Sequence, residues 1–144
     1  MAIPRLTGVV ETSLYVGDLD ASETFYRDTF GFEPFLRDDR MRALGVAPGQ
    51  VLLLFRRGGS AQPSPTPPSV VGSGFIPSHD ARGRQHLCFS VPSSALEDWA
   101  AHLARSGIAI ESRLTWPNGG ASLYFRDRDD HSLEVATPGL WPNF

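Results

Sequence analysis

The chain reads as an α+β protein built from two tandem βαβββ modules, and three observations carry that reading. Strand-type alternation and one-sided helical stripes recur in the same order in both halves. A stretch rich in Gly, Pro and Ser separates the halves. Unusual polar residues fall at matching places in the repeat. The implied organisation over the 144 residues is a first module at 1–57, a linker at 58–83 and a second module at 84–144, together one domain.

Residues 9 to 16, VVETSLYV, alternate as a strand, with Glu11, Ser13 and Tyr15 on one face and Val10, Thr12, Leu14 and Val16 on the other. A helix follows: Asp20 with Glu23 resembles a capping box, Phe25, Tyr26 and Phe30 make an apolar stripe, and Gly31 is the expected stop. Strands are then expected over 33–37, 41–44 and 51–55. From Gly58 to Gly83 the composition, including PSPTPPS at 63–69, predicts a long loop without regular pairing. The pattern then returns. The strand HLCFSV at 86–91 precedes a helix opened by Ser94 and Glu97, striped by Leu96, Trp99, Ala100 and Leu103, and stopped at Gly107. Three more strands fit 109–114, 122–126 and 132–136.

Composition narrows the function. No apolar run approaches the ~20 residues of a membrane span, and a net charge of −3 with scattered arginines gives no basic stripe for nucleic acid. The single cysteine, Cys88, cannot form an internal disulfide, and no signal-peptide pattern opens the chain, so a cytoplasmic protein with a small-molecule partner is expected. All 13 basic residues are arginine, which excludes Schiff-base catalysis and a P-loop lysine. G-x-S-x-G, C-x-x-C and H-E-x-x-H are also absent. Any site must therefore be assembled from distant residues.

The repeat suggests which ones. On the strand at 86–91, Leu87, Phe89 and Val91 face one way and His86, Cys88 and Ser90 the other. Taken alone, His86 fits a half-buried histidine with one hydrogen bond. Counting back five residues from Val91 reaches His86, and from the matching Val16 reaches Glu11. In the last strands, Glu134 in Leu133-Glu134-Val135 matches Leu53 in Leu52-Leu53-Leu54. Three of the four related positions thus hold Glu, His and Glu, residue types that bind divalent metals.

The stretches LYVGDLDASETFYRDTFGF at 14–32, HLCFSV at 86–91 and SLYFRDRDDHSLEV at 122–135 make the chain resemble the vicinal oxygen chelate superfamily. That superfamily includes glyoxalase I, extradiol dioxygenases, fosfomycin-resistance thiol transferases and bleomycin-resistance proteins. The resemblance implies a curved eight-stranded mixed sheet with the helices outside, and a homodimer. It implies one divalent ion (Mn, Fe, Ni, Zn or Co) held by Glu11, His86 and Glu134. Three ligands with open positions suit a catalytic metal that chelates a small metabolite through vicinal oxygens, with Glu134 also able to move a proton. The activity implied is that of a lyase, isomerase or dioxygenase; the alternative is a metal-free drug-binding protein of the bleomycin-resistance type. Departures from the pattern are Glu11, where the dioxygenases and fosfomycin enzymes would carry histidine, and Leu53, where glyoxalase I would carry a fourth ligand.

Tyr124 matches a substrate-contacting tyrosine of the superfamily, with core packing as its bland alternative. Ser13 and Arg126 are the further candidate substrate contacts, Arg126 and Arg84 for an anion. Cys88 lines the same face, and a reactive thiol there would need a neighbour that lowers its pKa. His79 reads as a loop residue that could act over a pocket. His102 and His131 read as solvent or packing residues, and Trp116 and Trp141 as pocket walls or interface.

Overall fold

The structure is a computed structural model, and it describes residues 1–72 and 74–144. Among the described residues, ten strands and two α-helices follow in order: β1 (Glu11–Val16), α1 (Leu19–Phe30), β2 (Glu33–Arg37), β3 (Met41–Ala47), β4 (Gln50–Arg56), β5 (Ser64–Pro65), β6 (Phe75–Ile76), β7 (His86–Ser90), α2 (Leu96–Arg105), β8 (Ser112–Thr115), β9 (Ala121–Arg126) and β10 (Ser132–Ala136). A 3₁₀ turn at Ser93–Ala95 leads into α2. The chain divides into two compact units, Met1–Arg82 and Gly83–Phe144. Both expected βαβββ modules are present. Each is a four-stranded mixed sheet, with orders β1-β4-β3-β2 and β7-β10-β9-β8.

In the first unit β1 runs parallel to β4, and β4-β3 and β3-β2 are antiparallel. Alternation divides the sheet as the sequence implies. Leu14, Val16, Leu44, Leu52 and Leu54 are buried on the face that takes α1, each such side chain stabilising by roughly 1.5–3 kcal/mol. On the other face Met41, Ala43 and Phe55 form a smaller cluster with Tyr15, Val51 and Leu53. The helix stops at Gly31 as expected, with φ 73° in the left-handed region and its N–H on the Arg27 carbonyl.

The start of α1 differs from the expectation. Asp18, not Asp20, caps it, through Oδ1 accepting the Ala21 N–H at 3.0 Å. Glu23 closes no capping box. It is buried, accepts from Nε and Nη2 of Arg37 at 2.6–3.1 Å, and lies 3.2 Å from Arg42 Nε, so it ties α1 to β2 and β3. Those guanidiniums, Arg37 first, hold its carboxyl below the ordinary range against the opposing cost of burial.

The linker also departs from the expectation, because part of it pairs. Ser64–Pro65 and Phe75–Ile76 form a short antiparallel ribbon, which a proline tolerates at an edge position. Its last residues fold back on the first unit. His79 donates its backbone N–H to the Ser60 carbonyl, lies edge-on to Phe55 at 4.4 Å between ring centroids, and shares a 2.6 Å hydrogen bond with the Tyr15 hydroxyl.

In the second unit β7 runs parallel to β10, and β10-β9 and β9-β8 are antiparallel. Leu123, Phe125, Leu133 and Val135 are fully buried on one face, which leaves Tyr124 and Glu134 on the other. The 3₁₀ turn replaces the expected Ser94–Glu97 box, and no side chain caps α2. β8 begins at Ser112, three residues later than expected. No helix among the described residues is long and apolar enough to cross a membrane.

Candidate metal-binding site

The face of the second sheet opposite Leu123, Phe125, Leu133 and Val135 is built around Glu134. The register places Cys88 of β7 on one side of it and Tyr124 of β9 on the other. His86 is paired with Ser132, two residues away, so alternation keeps His86 on the same face as Glu134. The glutamate is nearly fully buried and the histidine about half exposed.

His86 Nδ1 lies 2.8 Å from the Ser132 carbonyl oxygen. A carbonyl only accepts, so Nδ1 carries a proton, and in the neutral ring Nε2 would present its lone pair. That nitrogen is 3.4 Å from Glu134 Oε2. Two acceptors at this separation call for a cation, either a proton on Nε2 or a metal ion. Backbone fixing of one imidazole nitrogen to aim the other is also how ligand histidines are oriented. His86 and Glu134 could therefore supply two of the ligands of a divalent ion.

The other oxygen, Oε1, accepts from the Ser122 hydroxyl at 2.5 Å, and Ser122 Oγ accepts from the Trp116 indole N–H at 2.8 Å. Neither Ser122 nor Trp116 stood out in the sequence as a partner of Glu134. The available signal was that Ser122 shares a strand face with Tyr124; nothing in TWPNGG shows where the indole points.

Tyr124 stacks near His86, 6.4 Å between centroids. Burial first, and then the charge and hydrogen bond of Glu134, raise its phenol above the ordinary value, so it remains a hydrogen-bond donor. The Cys88 thiol is pushed up to about 12 by desolvation and then by Glu134, so this cysteine is not an activated thiolate. Arg126 is held bidentately by Glu111, at 2.6 and 3.0 Å, and also donates to the Asp130 carbonyl. Arg84 pairs with Asp130 at 3.4 Å. His131 is fully buried, as a packing residue should be. Its Nδ1 accepts the Gln85 N–H at 2.8 Å, which clamps the residue before His86.

Glu11 and Ser13 lie in the other unit, exposed on β1. Register supports the internal symmetry: Glu11 pairs with Val51 and Ser13 with Leu53, as His86 pairs with Ser132 and Cys88 with Glu134. Of the three expected ligands, the structure brings His86 and Glu134 together. Among the described residues no group of three or more His, Cys, Asp or Glu side chains is arranged to hold a metal ion.

Two βαβββ units, one carrying an imidazole–carboxylate pair on one face of its sheet, define a class of small α+β proteins. The particular family follows from comparison. Residues 8–135 match the model of the Glyoxalase/Bleomycin resistance protein/Dioxygenase superfamily, and the chain belongs to that family. It is similar to a lactoylglutathione lyase from Agrobacterium tumefaciens, with 34% identity over 96% of this chain and 99% of that one and a TM-score of 0.85. It is also similar to a glyoxylase/bleomycin resistance protein/dioxygenase domain from Frankia sp., with 27% identity over 92% and 98% of the two chains and a TM-score of 0.63. The fosfomycin resistance protein FosX from Listeria monocytogenes, in its complex with Mn(II) and sulfate, shares the fold at 20% identity, 94% of each chain and a TM-score of 0.67.

Proposed function

We propose that this protein is a divalent-metal-dependent enzyme that acts on a small oxygenated metabolite with two neighbouring oxygens. The observation that carries the reading is the His86–Glu134 pair, in which Nε2 lies 3.4 Å from a buried carboxylate oxygen. Glu11, the counterpart of His86 in the first unit, is the third ligand in this reading. A divalent ion held there would supply Lewis-acid polarisation of the substrate oxygens.

The chain's own residues do the rest. His86 presents Nε2 because the Ser132 carbonyl holds Nδ1. Tyr124, kept protonated by burial and by Glu134, donates to the developing oxyanion. Glu134, or a water beside it, moves the proton. Ser13 and Arg126 are the outer substrate contacts, and Arg126 reaches an anion only by exchanging Glu111. The protein works as a cytoplasmic homodimer, which sedimentation showing only monomer at high micromolar concentration would contradict.

The similarity to a lactoylglutathione lyase makes 2-oxo aldehyde thiol adducts the first substrates to screen. Vicinal diols, catechols and α-hydroxy acids follow, each with Mn, Fe, Ni, Zn and Co. Turnover should require metal and be lost in His86→Ala. Turnover by His86→Ala at the wild-type rate without metal would overturn the reading. A metal-free drug-binding role is the second reading, and a metal-free wild type would favour it.

A further inference from the structure

We infer that Trp116 and Ser122 are positioning residues, forming a one-way hydrogen-bond relay that fixes the Glu134 carboxylate so that Oε2 is the oxygen turned to His86. The inference rests on the metal reading above and adds two residues to it.

The direction of the relay is set by chemistry. An indole N–H has no lone pair and must donate, so Ser122 Oγ is the acceptor at 2.8 Å. The serine hydroxyl then has one proton to give, and it lies 2.5 Å from Glu134 Oε1, an acceptor when ionised. Each bond polarises the next, and the relay is strengthened by burial: Ser122 is 0% exposed and Glu134 4%. Oε1 thereby carries a fixed hydrogen bond, and Oε2 is the oxygen 3.4 Å from His86.

The indole is itself held. Trp116 donates its backbone N–H to the Gly120 carbonyl at 2.6 Å and accepts from Gly119 N–H at 2.9 Å, which closes the β8–β9 hairpin. Gly120 sits against the chain at Gly139, where an added Cβ would come within 2.6 Å of backbone. The relay therefore runs from a braced hairpin, through a buried hydroxyl, to the candidate ligand. Supporting hydrogen bonds of this kind tune ligand carboxylates, and their loss typically costs about 10–100-fold in metal affinity.

The test uses Mn(II) and Co(II) as probes on the full chain, with Ser122→Ala, Ser122→Thr, Trp116→Phe and Glu134→Gln. Ser122→Ala and Trp116→Phe should each weaken Mn(II) binding by about 10–100-fold and shift the Co(II) ligand-field bands, because the carboxylate is free to turn. Ser122→Thr, which keeps the hydroxyl, should stay near wild type in both. Trp116→Phe keeps an aromatic ring and removes the donor, so it tests the relay even where Ser122→Ala fails to fold. Wild-type affinity and Co(II) bands in folded Trp116→Phe would overturn the relay while Glu134→Gln still loses metal, leaving the metal reading in place. Failure of the wild type to bind either ion would overturn both.

Discussion

Nε2 of His86 stands 3.4 Å from Oε2 of Glu134, while Nδ1 of the same ring is held 2.8 Å from the Ser132 carbonyl. The second bond makes the first contact meaningful. It places a proton on Nδ1, so that in the neutral ring Nε2 turns its lone pair toward the carboxylate.

Tyr124→Phe should separate binding from turnover. The phenol is a donor beside the pair, not a ligand in the proposed set, so the variant should keep its metal. On whichever substrate the wild type turns over, it should lose about 10–1000-fold in kcat, the range for a single catalytic donor. Metal content and steady-state rates check this. An unchanged kcat would remove Tyr124 from the chemistry.

Glu23→Gln should destabilise the first unit by about 1–3 kcal/mol, the cost of stripping a charged hydrogen-bond partner from a buried site. It leaves Arg42, with a side chain 11% exposed, without its buried carboxylate partner, while the exposed Asp20 at 2.8 Å remains. The carboxyl is held below its ordinary value of 4.5 in the folded chain. Its contribution is therefore full above that value and lost as pH falls through the folded one. Denaturant melts at neutral pH should show the deficit, and it should shrink as the solution is acidified below about pH 4. A deficit that persists undiminished in acid would contradict the assignment.

Two glycines should respond differently to alanine. At Gly120 the new Cβ would lie 2.6 Å from Gly139 C and Leu140 N, which are backbone and cannot step aside. At Gly45 the obstacle is the tip of the Phe35 ring, 2.5 Å away but on a side chain 62% exposed. Gly120→Ala should cost about 2 kcal/mol or more and Gly45→Ala less than about 1 kcal/mol. Thermal melts of both variants provide the comparison, and equal losses would refute the contact argument.

Much of this architecture was legible in the sequence, because strand alternation and helical stripes reflect burial directly. β2 and β10 fall where the pattern puts them, and the match of Glu11 to His86 and of Leu53 to Glu134 reappears in the strand register. What stayed hidden depends on tertiary contact. Glu23 sits at capping-box spacing yet turns inward to Arg37 and Arg42. Ser64 and Pro65 pair with Phe75 and Ile76 although the composition around them reads as loop. Trp116 lies in a hairpin whose indole direction no periodicity encodes, so its link through Ser122 to Glu134 could not be read from spacing.

The most direct measurement is metal content after mild purification, followed by Mn(II) titration, of the wild-type chain beside His86→Ala and Glu134→Ala. The wild type should hold about one divalent ion per site, and both variants should lose it with their folds intact. Bound metal in none of the three, or the same metal content in all of them, would contradict the metal reading.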